Sequence, residues 1–470
     1  MASVRVIVFS LVFCFILGTF LSCGRSLQQV KRTPVVAVPE EWSGGEVISE
    51  PIRSDWWTTF NDAGLNRVIN RVLERNQDLQ AAAARLEAAK AETVIAGAAE
   101  RPTLDLGFNM GRRRQNFVGF PIPGSEGRVL KRTYTNAGLS LDVGWEPDLW
   151  NRIKAGKLAA KANNQGREAD LIAVRLSLAA QATKTWFLAI EGRGQVELAR
   201  SSLESYKLSS QRIQARFERG LRSSLDLRFA LTEVKRAEAL LEQRLEQADR
   251  TIRQLQILMA DYPDGSYSIG NKLPKLTQQI PAGLPSELLF RRPDLLAAEQ
   301  DLVAADARIV EARAQLRPSF SLTSPIGTSS NQLQTILSNE LFIWSMLGNA
   351  LQPIFNRGRL KAGIMRNEAV AEEAVARYQN SVLQAFNEVE SALAAESVIK
   401  RREEALKEAT RYSADTMKLA EQRYRSGLTD ITTLLSAQRT ALDSESQLLI
   451  VSRLRVENRV NLFLALGGSF

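Results

Sequence analysis

Two long tracts without proline constrain this chain more than any other feature. All fifteen prolines lie at or before Pro147, between Pro263 and Pro325, or at Pro353. A proline inside a helix loses a hydrogen bond, clashes with the preceding turn and costs about 3 kcal/mol. Tracts of more than a hundred residues without one are what very long helices require. A helix from about Asn151 to Arg216 would run roughly 100 Å at 1.5 Å per residue. That length suits a structure that spans a distance.

Each tract carries one interruption, and the two interruptions match. RFERGLRSSLDLRFALT runs from Arg216 to Thr232, and RYRSGLTDITTLLSAQR from Arg423 to Arg439, an offset of 207. In both, an Arg-aromatic pair precedes Gly-Leu, a few small polar residues and a new apolar period. Gly220 and Gly427 stand where a helix ends in a left-handed residue, a conformation glycine adopts without a Cβ clash. Ser224 in the first copy, and Asp430 or Thr429 in the second, are placed to cap the following helix. Each copy predicts the tip of a helical hairpin, with Gly220, Leu221, Gly427 and Leu428 at the turn.

The duplication extends beyond the tips. Asp78-Leu79 matches Asp294-Leu295, and Pro102 matches Pro318, at one offset of 216. Pro147 with Asn151-Arg152 matches Pro353 with Asn356-Arg357 at slightly smaller offsets. The chain therefore reads as two copies of helix, two strands, long helix and helix. The first copy covers residues 61–260, with strands at about 103–112 and 133–145 and its tip at 217–226. A linker rich in proline and glycine covers 261–292. The second copy covers 293–470, with strands at about 319–327 and 341–352 and its tip at 424–433. Seven-residue spacing of Leu65, Val72, Leu79 and Leu86, of Leu295, Leu302, Ile309 and Leu316, and of Leu428, Leu435, Leu442, Leu449, Val456 and Phe463 predicts left-handed coiled packing.

The strands alternate. Leu104, Leu106, Phe108 and Met110 interleave with Thr103, Asp105, Gly107 and Asn109; Ala137, Leu139, Leu141, Val143 and Trp145 interleave with small polar residues. A period of two puts apolar groups on one face. Strands of this length suit a tilted membrane crossing of ~9–11 residues, with Trp145 near the interface, where aromatic girdles collect. The basic segment Gly111 to Arg132 reads as an outer loop. Leu341 to Leu347 is nearly all apolar, and its faces cannot be assigned from the sequence. A half-buried soluble sheet is the rival reading. Four strands cannot close a water-filled barrel, so a membrane barrel needs copies: two chains would give eight strands, three would give twelve and a lumen.

The N-terminal stretch ending LSC reads as a signal peptide over residues 1–22. Cys23 is then a candidate lipidation site, followed by Gly24, and residues 23–60 form a tether. Trp56-Trp57 opens the folded part. Removal of Cys14 with the signal leaves one cysteine and no internal disulfide. No other segment is long and apolar enough for a membrane helix, so a crossing must be a closed barrel.

The excess of 61 basic over 52 acidic residues is spread along the chain. No stretch combines it with a DNA- or RNA-binding motif, so no nucleic acid partner is expected. There is no histidine, which removes the usual metal ligand and general base. No phosphate-binding GxxxxGK[ST] loop and no Gly-x-Ser-x-Gly elbow occurs. Glu388 and Glu390 in a helical tract read as a solvated face. An enzyme is not expected, and no cofactor is.

Five stretches carry a resemblance: GLPSELLFRRPDLLAAE (Gly283 to Glu299), LDVGWEPDLWNR (Leu141 to Arg152), LQPIFNRG (Leu351 to Gly358), the tip RYRSGLTDITTLLSAQRTAL and the end VNLFLALGG. With them, the chain resembles the TolC family of outer-membrane efflux proteins, in its lipidated branch, over essentially the whole mature chain. The resemblance implies a mainly α fold with a membrane β-barrel. It implies a homotrimer with a twelve-stranded barrel in the outer membrane and a twelve-helix coiled-coil tunnel reaching into the periplasm. An iris would close where the hairpins converge. The tips would dock a periplasmic adaptor linked to an inner-membrane resistance–nodulation–division transporter, and outer-membrane lipid would surround the barrel. Carried over by position, Asp226 matches the family's acidic site after the first tip, and Thr433 stands in the matching place of the second. Ser436 stands where an acidic residue is common. Asp430 is then the alternative source of charge, with Arg219, Arg222 and Arg425 as partners. The expected function is a passive exit duct for small molecules. A type I protein-secretion channel and a tethered coiled-coil scaffold without a pore are the alternatives.

Overall fold

A computed structural model describes residues 37–44, 55–117, 130–276 and 283–468. Cys23, the expected signal peptide, most of the expected tether and the middle of the basic segment between the first two strands lie outside the described residues. The two halves repeat element by element. Helices α1 (Ala63–Arg75) and α2 (Gln77–Ala98) lead to strands β1 (Thr103–Phe117) and β2 (Leu130–Trp145), then α3 (Arg152–Glu218) and α4 (Ser224–Leu258). A short α5 (Pro285–Arg291) leads to α6 (Pro293–Ala314), β3 (Ser319–Ser330), β4 (Phe342–Trp344), β5 (Leu347–Leu351), α7 (Arg359–Arg425) and α8 (Ile431–Ala465). α2 and α6 each have 22 residues, α3 and α7 each 67, and α4 and α8 each 35. The chain divides into two compact units, and it passes between them within α2, α3, α6 and α7.

One unit holds Ala88–Asn164 and Gln300–Ala376, and with them the sheet. Its order is β1-β2-β3, with β4 and β5 both paired to β3, all antiparallel. Register assigns the faces. Leu104, Leu106, Phe108 and Met110 pair with Val143, Leu141, Leu139 and Ala137. Thr103, Asp105, Gly107 and Asn109 share the other face with Gly144, Asp142, Ser140 and Gly138. The apolar face is not a core: Leu104 is 66% exposed and Leu106 73%. The rival reading of a soluble, half-buried sheet would have covered it.

Three expectations about the strands change. The segment from Gly111 is no loop at its start: β1 continues through Arg112, Arg113 and Arg114, and β2 already includes Lys131 and Arg132. The strand expected over 341–352 is in two pieces. Ser345 donates its N–H to the Pro325 carbonyl at 3.1 Å, but proline has no N–H to return, and the ladder breaks there. The unassigned apolar run is settled by pairing. Phe342 and Trp344 lie opposite Thr328 and Ile326 on the apolar face, and Ile343 falls on the other. At Gly327 a Cβ would run into the Leu139 carbonyl, so β2 and β3 approach as they do only with glycine there.

The helices of this unit pack through alanine. Ala159 and Ala162 of α3 meet Ala304 and Ala307 of α6, and Ala305 and Ile309 of α6 meet Ala371 of α7. Small side chains let backbones come close. Trp150 Nε1–H donates to the Pro318 carbonyl at 2.7 Å, and Lys157 pairs with Glu100 at 2.7 Å.

The other unit holds Pro34–Glu87, Gln165–Glu299 and Arg377–Phe470. Its larger core gathers Trp56, Trp57, Phe60, Leu65, Trp186, Phe187, Leu255 and Phe463. Trp56 stacks on Phe463 with centroids 5.2 Å apart. Asp62 caps α1 by accepting from the Gly64 and Leu65 N–H groups, and its second oxygen accepts from Trp186 Nε1–H at 2.8 Å. The tether expected through residue 60 is shorter than the sequence suggested. Trp42 is already buried against Phe386 and donates to the Gly283 carbonyl at 2.9 Å. Each Trp carries enough apolar area to anchor an otherwise irregular segment.

Arg292 explains why the stretch RRPD sits where it does. Pro285 and Pro293 occupy first helical positions of α5 and α6, where a missing N–H costs nothing. Between them Arg292, 8% exposed, donates to Asp294, to Glu388 at 2.6 Å and to the Ala465 carbonyl at 3.0 Å. Its charge is held more firmly than usual. Burial works against it, but the carboxylates of Asp294 and Glu388 outweigh burial. Glu388 and Glu390 are therefore not an idle solvated face: Glu388 holds Arg292, and Glu390 accepts the Ser43 N–H at 2.9 Å.

Candidate gate at the hairpin tips

The two tips share one backbone frame. Gly220 has φ 72° and Gly427 φ 76°, with open space around both. Conformation, not crowding, demands glycine here. The N–H of Leu221 donates to the Arg216 carbonyl at 2.9 Å and that of Leu428 to Arg423 at 2.8 Å. Gly220 and Gly427 donate to Phe217 and Tyr424. These are the bonds that close a helix through a left-handed residue. Ser223, not Ser224, caps α4: its hydroxyl accepts from the Asp226 N–H at 3.2 Å. Asp430 caps α8, accepting from the Thr433 N–H at 2.7 Å and the Thr432 hydroxyl at 3.0 Å. Hydrogen bonds from Thr433 and then Thr432 hold the Asp430 carboxyl below its ordinary range. Ser223 and Asp430 are again 207 apart.

The side chains do not repeat. Arg216 of α3 reaches across to the end of α7, donating to the Arg425 carbonyl at 2.9 Å and the Tyr424 carbonyl at 3.4 Å. A cation there meets the negative end of the helix dipole. Tyr424 is buried, its hydroxyl without a hydrogen-bond partner among the described residues. The guanidinium of Arg222 lies 4.9 Å from its ring centroid and that of Arg216 5.7 Å, within cation–π range. Burial pushes the Tyr424 hydroxyl up; Asp226 adds to the shift, and Arg222 and Arg216 oppose it. One turn back, Glu421 accepts from Arg212 at 2.9 Å and also pairs with Arg425. Burial would raise this carboxyl, but Arg425 and Arg212 pull it below the usual range.

The structure thus groups Arg222 and Asp226 with Tyr424, and leaves Arg219, Leu221 and Leu428 exposed. The expected pairing of Asp430 with Arg219, Arg222 or Arg425 is not made. Its carboxylate is the helix cap, Arg425 holds Glu421, and Arg222 covers Tyr424. Ser436 is exposed in a groove of hydroxyl side chains between α7 and α8, with Ser413, Thr416 and Thr440. Sequence reasoning passed over Arg216, Tyr424 and Glu421. The Arg-aromatic pair in each tip was the signal for the first two.

A second polar layer lies behind the tips. Glu233 of α4, 5% exposed, takes Arg439 of α8 at 3.0 Å through Nε, with a second short bond, and Arg236 at 3.3 Å. Beside it the Tyr206 hydroxyl is pushed up to about 12, first by burial and then by Glu233. Gln438 donates to Ser205 and Ser209 at 3.3 Å. Apolar side chains of all four helices, among them Ile213, Val234, Ile431 and Leu434, complete this layer. No group of acidic or sulfur side chains among the described residues could hold a metal ion.

The profile of a family described as "Outer membrane efflux protein" matches residues 68–260 and 284–468. The chain belongs to the outer membrane efflux protein family. Its relatives agree. The outer membrane protein OprJ of Pseudomonas aeruginosa is 33% identical over 95% of this chain and 93% of its own length. The toluene efflux pump outer membrane protein TtgC of Pseudomonas putida is 30% identical over 98% of this chain and 94% of its own. The crystal structure of the Campylobacter jejuni CmeC outer membrane channel superposes with a TM-score of 0.89 over 95% of each chain, at 24% identity, which is a likeness of fold. A family of efflux channels places this protein in the outer membrane as a transport channel and not among enzymes.

Proposed function

We propose that the chain is one third of a passive exit duct. Three copies would close a twelve-stranded barrel in the outer membrane and align twelve helices as a periplasmic tunnel. The observation that carries this reading is the sheet: an exposed apolar face, a small polar face, and no strand paired beyond β1 or beyond β4 and β5 among the described residues. With β4 and β5 counted as one interrupted strand, each chain brings four. That is too few to enclose water, and three copies are enough.

The tips are the proposed iris. Arg216, Arg222 and Tyr424 tie one hairpin to the other, and opening must part them. A periplasmic adaptor would supply the differential affinity that does so, docking on the turns where Leu221 and Leu428 are 68% and 70% exposed. The energy comes from a partner pump of the resistance–nodulation–division class, and nothing at the tips needs to do chemistry. Relatives that are efflux pump outer membrane proteins favour small-molecule export over protein secretion. Acylation of Cys23 completes the proposal; palmitate labelling that leaves the protein unlabelled removes that part alone.

Imaging of the purified particle tests the whole. A three-fold cylinder that conducts in planar bilayers is expected. A monomer without conductance would overturn the reading and leave a tethered scaffold in its place.

A further inference from the structure

The apolar face of the β1–β2 pair ends in cations. Beyond Met110 the same face of β1 carries Arg112 and Arg114, opposite Thr135 and Thr133, and the next pair on that face is Asn116 with Lys131. Arg112, Arg114 and Lys131 are all exposed. Neither Met110–Phe117 nor Leu130–Ala137 contains an acidic residue to pair with them. Arg113 and Arg132 occupy the opposite face, where they flank Tyr134, and Arg132 lies 6.0 Å from that ring.

The spacing fits a membrane. Nine steps from Thr103 to Arg112 at about 3.3 Å, foreshortened by a tilt of about 40°, span roughly 23 Å, close to the ~25 Å apolar band of a transmembrane barrel. Trp145, 39% exposed, marks the other end of the band. That end is where α2 and α3 join the strands, so the cations lie at the end away from the helices.

We propose that Arg112, Arg114 and Lys131 form a belt that binds the phosphate groups of membrane lipid at the outer leaflet. The inference rests on the membrane-spanning reading of the sheet. Guanidinium matches phosphate with paired, charge-assisted hydrogen bonds, and the Thr133 and Thr135 hydroxyls share the belt's face. The alternative role for charge on an edge strand is to discourage pairing with other sheets. That role has no preference between the two faces, whereas the belt requires one.

The test uses the full-length protein in non-ionic detergent, titrated with a bis-phosphorylated glucosamine lipid, with its dephosphorylated form and with inorganic phosphate, and followed by native mass spectrometry. A basic residue at an anionic membrane surface strengthens attachment about fivefold. The triple variant Arg112→Gln, Arg114→Gln, Lys131→Gln is therefore expected to bind the phosphorylated lipid about a hundredfold more weakly. The double variant Arg113→Gln, Arg132→Gln should bind like the parent, and added salt should weaken the parent's binding. Unchanged affinity in the triple variant, an equal loss in the double variant, or equal binding of the dephosphorylated lipid overturns the belt. Inorganic phosphate competing as well as the lipid does so too. Retention in phosphatidylcholine vesicles after a carbonate wash separates the two readings. A triple variant that stays inserted with undiminished lipid binding sinks only the belt; a parent protein that does not insert sinks the membrane-spanning sheet with it.

Discussion

The two hairpin tips have one skeleton and two chemistries. Each ends a 67-residue helix with a glycine of positive φ, exposes a leucine and starts a 35-residue helix from a capping oxygen. The first tip then presents cations, Arg216 and Arg222. The second presents what they act on: the last carbonyls of α7 and the buried Tyr424. Duplication supplied a turn that works twice, and divergence made the two turns bind each other. Identical tips would carry like charges at matching places and could not hold each other in this way.

The comparison can be broken behind the tips, where the largest effect is expected. Glu233→Ala removes the carboxylate that holds Arg439 and should cost about 2 kcal/mol in thermal unfolding. Thr440→Ala, at the equivalent place in the second copy, should stay within about 0.5 kcal/mol. Equal costs would mean that this layer does not distinguish the copies. Next come the paired arginines. Loss of a charge-assisted bond at Arg216→Ala should raise single-channel open probability about tenfold, and Arg423→Ala, an exposed side chain, should leave it unchanged. A matching rise at Arg423 would contradict the assignment of roles.

The skeleton itself predicts equality. Gly220→Ala and Gly427→Ala each force a Cβ into a left-handed turn and should each cost about 1 kcal/mol; a clear difference would show that the turns are not equivalent. The smallest effect separates the caps. The Asp430 carboxyl is held below its ordinary 3.8 in the folded chain. Its capping contribution is therefore full above that value and is lost as pH falls through the depressed one. The serine cap carries no such group. Amide exchange at Thr433 should accelerate a few-fold relative to Asp226 across that acid window, after correction for intrinsic rates. Parallel behaviour of the two amides would refute it.

Much of the architecture was legible because proline and alternation act locally. The hairpins follow from where proline is absent, and the faces of β1 and β2 from a period of two. What was not legible depended on partners far along the chain. Leu341 to Leu347 has no alternation of its own, and only its register with β3 gives Phe342 and Trp344 a face. The break after Trp344 is caused by Pro325, a residue in the neighbouring strand. Glu388 looks like any surface glutamate until Arg292 is brought to it. Ser223 and Ser224 are equally good caps by type. The offset of 207 that pairs Ser223 with Asp430 would have chosen between them. Asp430 fits two roles in the sequence, helix cap and substitute for the acidic residue missing at Ser436, and the orphan N–H groups of α8 take its carboxylate.

Among the described residues, both margins of the sheet, the outer side of β1 and the side of β4 and β5 away from β3, are left without a neighbouring strand. Backbone groups there can be satisfied only by water or by another chain, and lipid offers neither. In the proposed trimer the barrel therefore has no finished form at infinite dilution. On that reading its stability would scale with its own concentration, so the cell would have to gather the chains before, or while, it commits them to the bilayer.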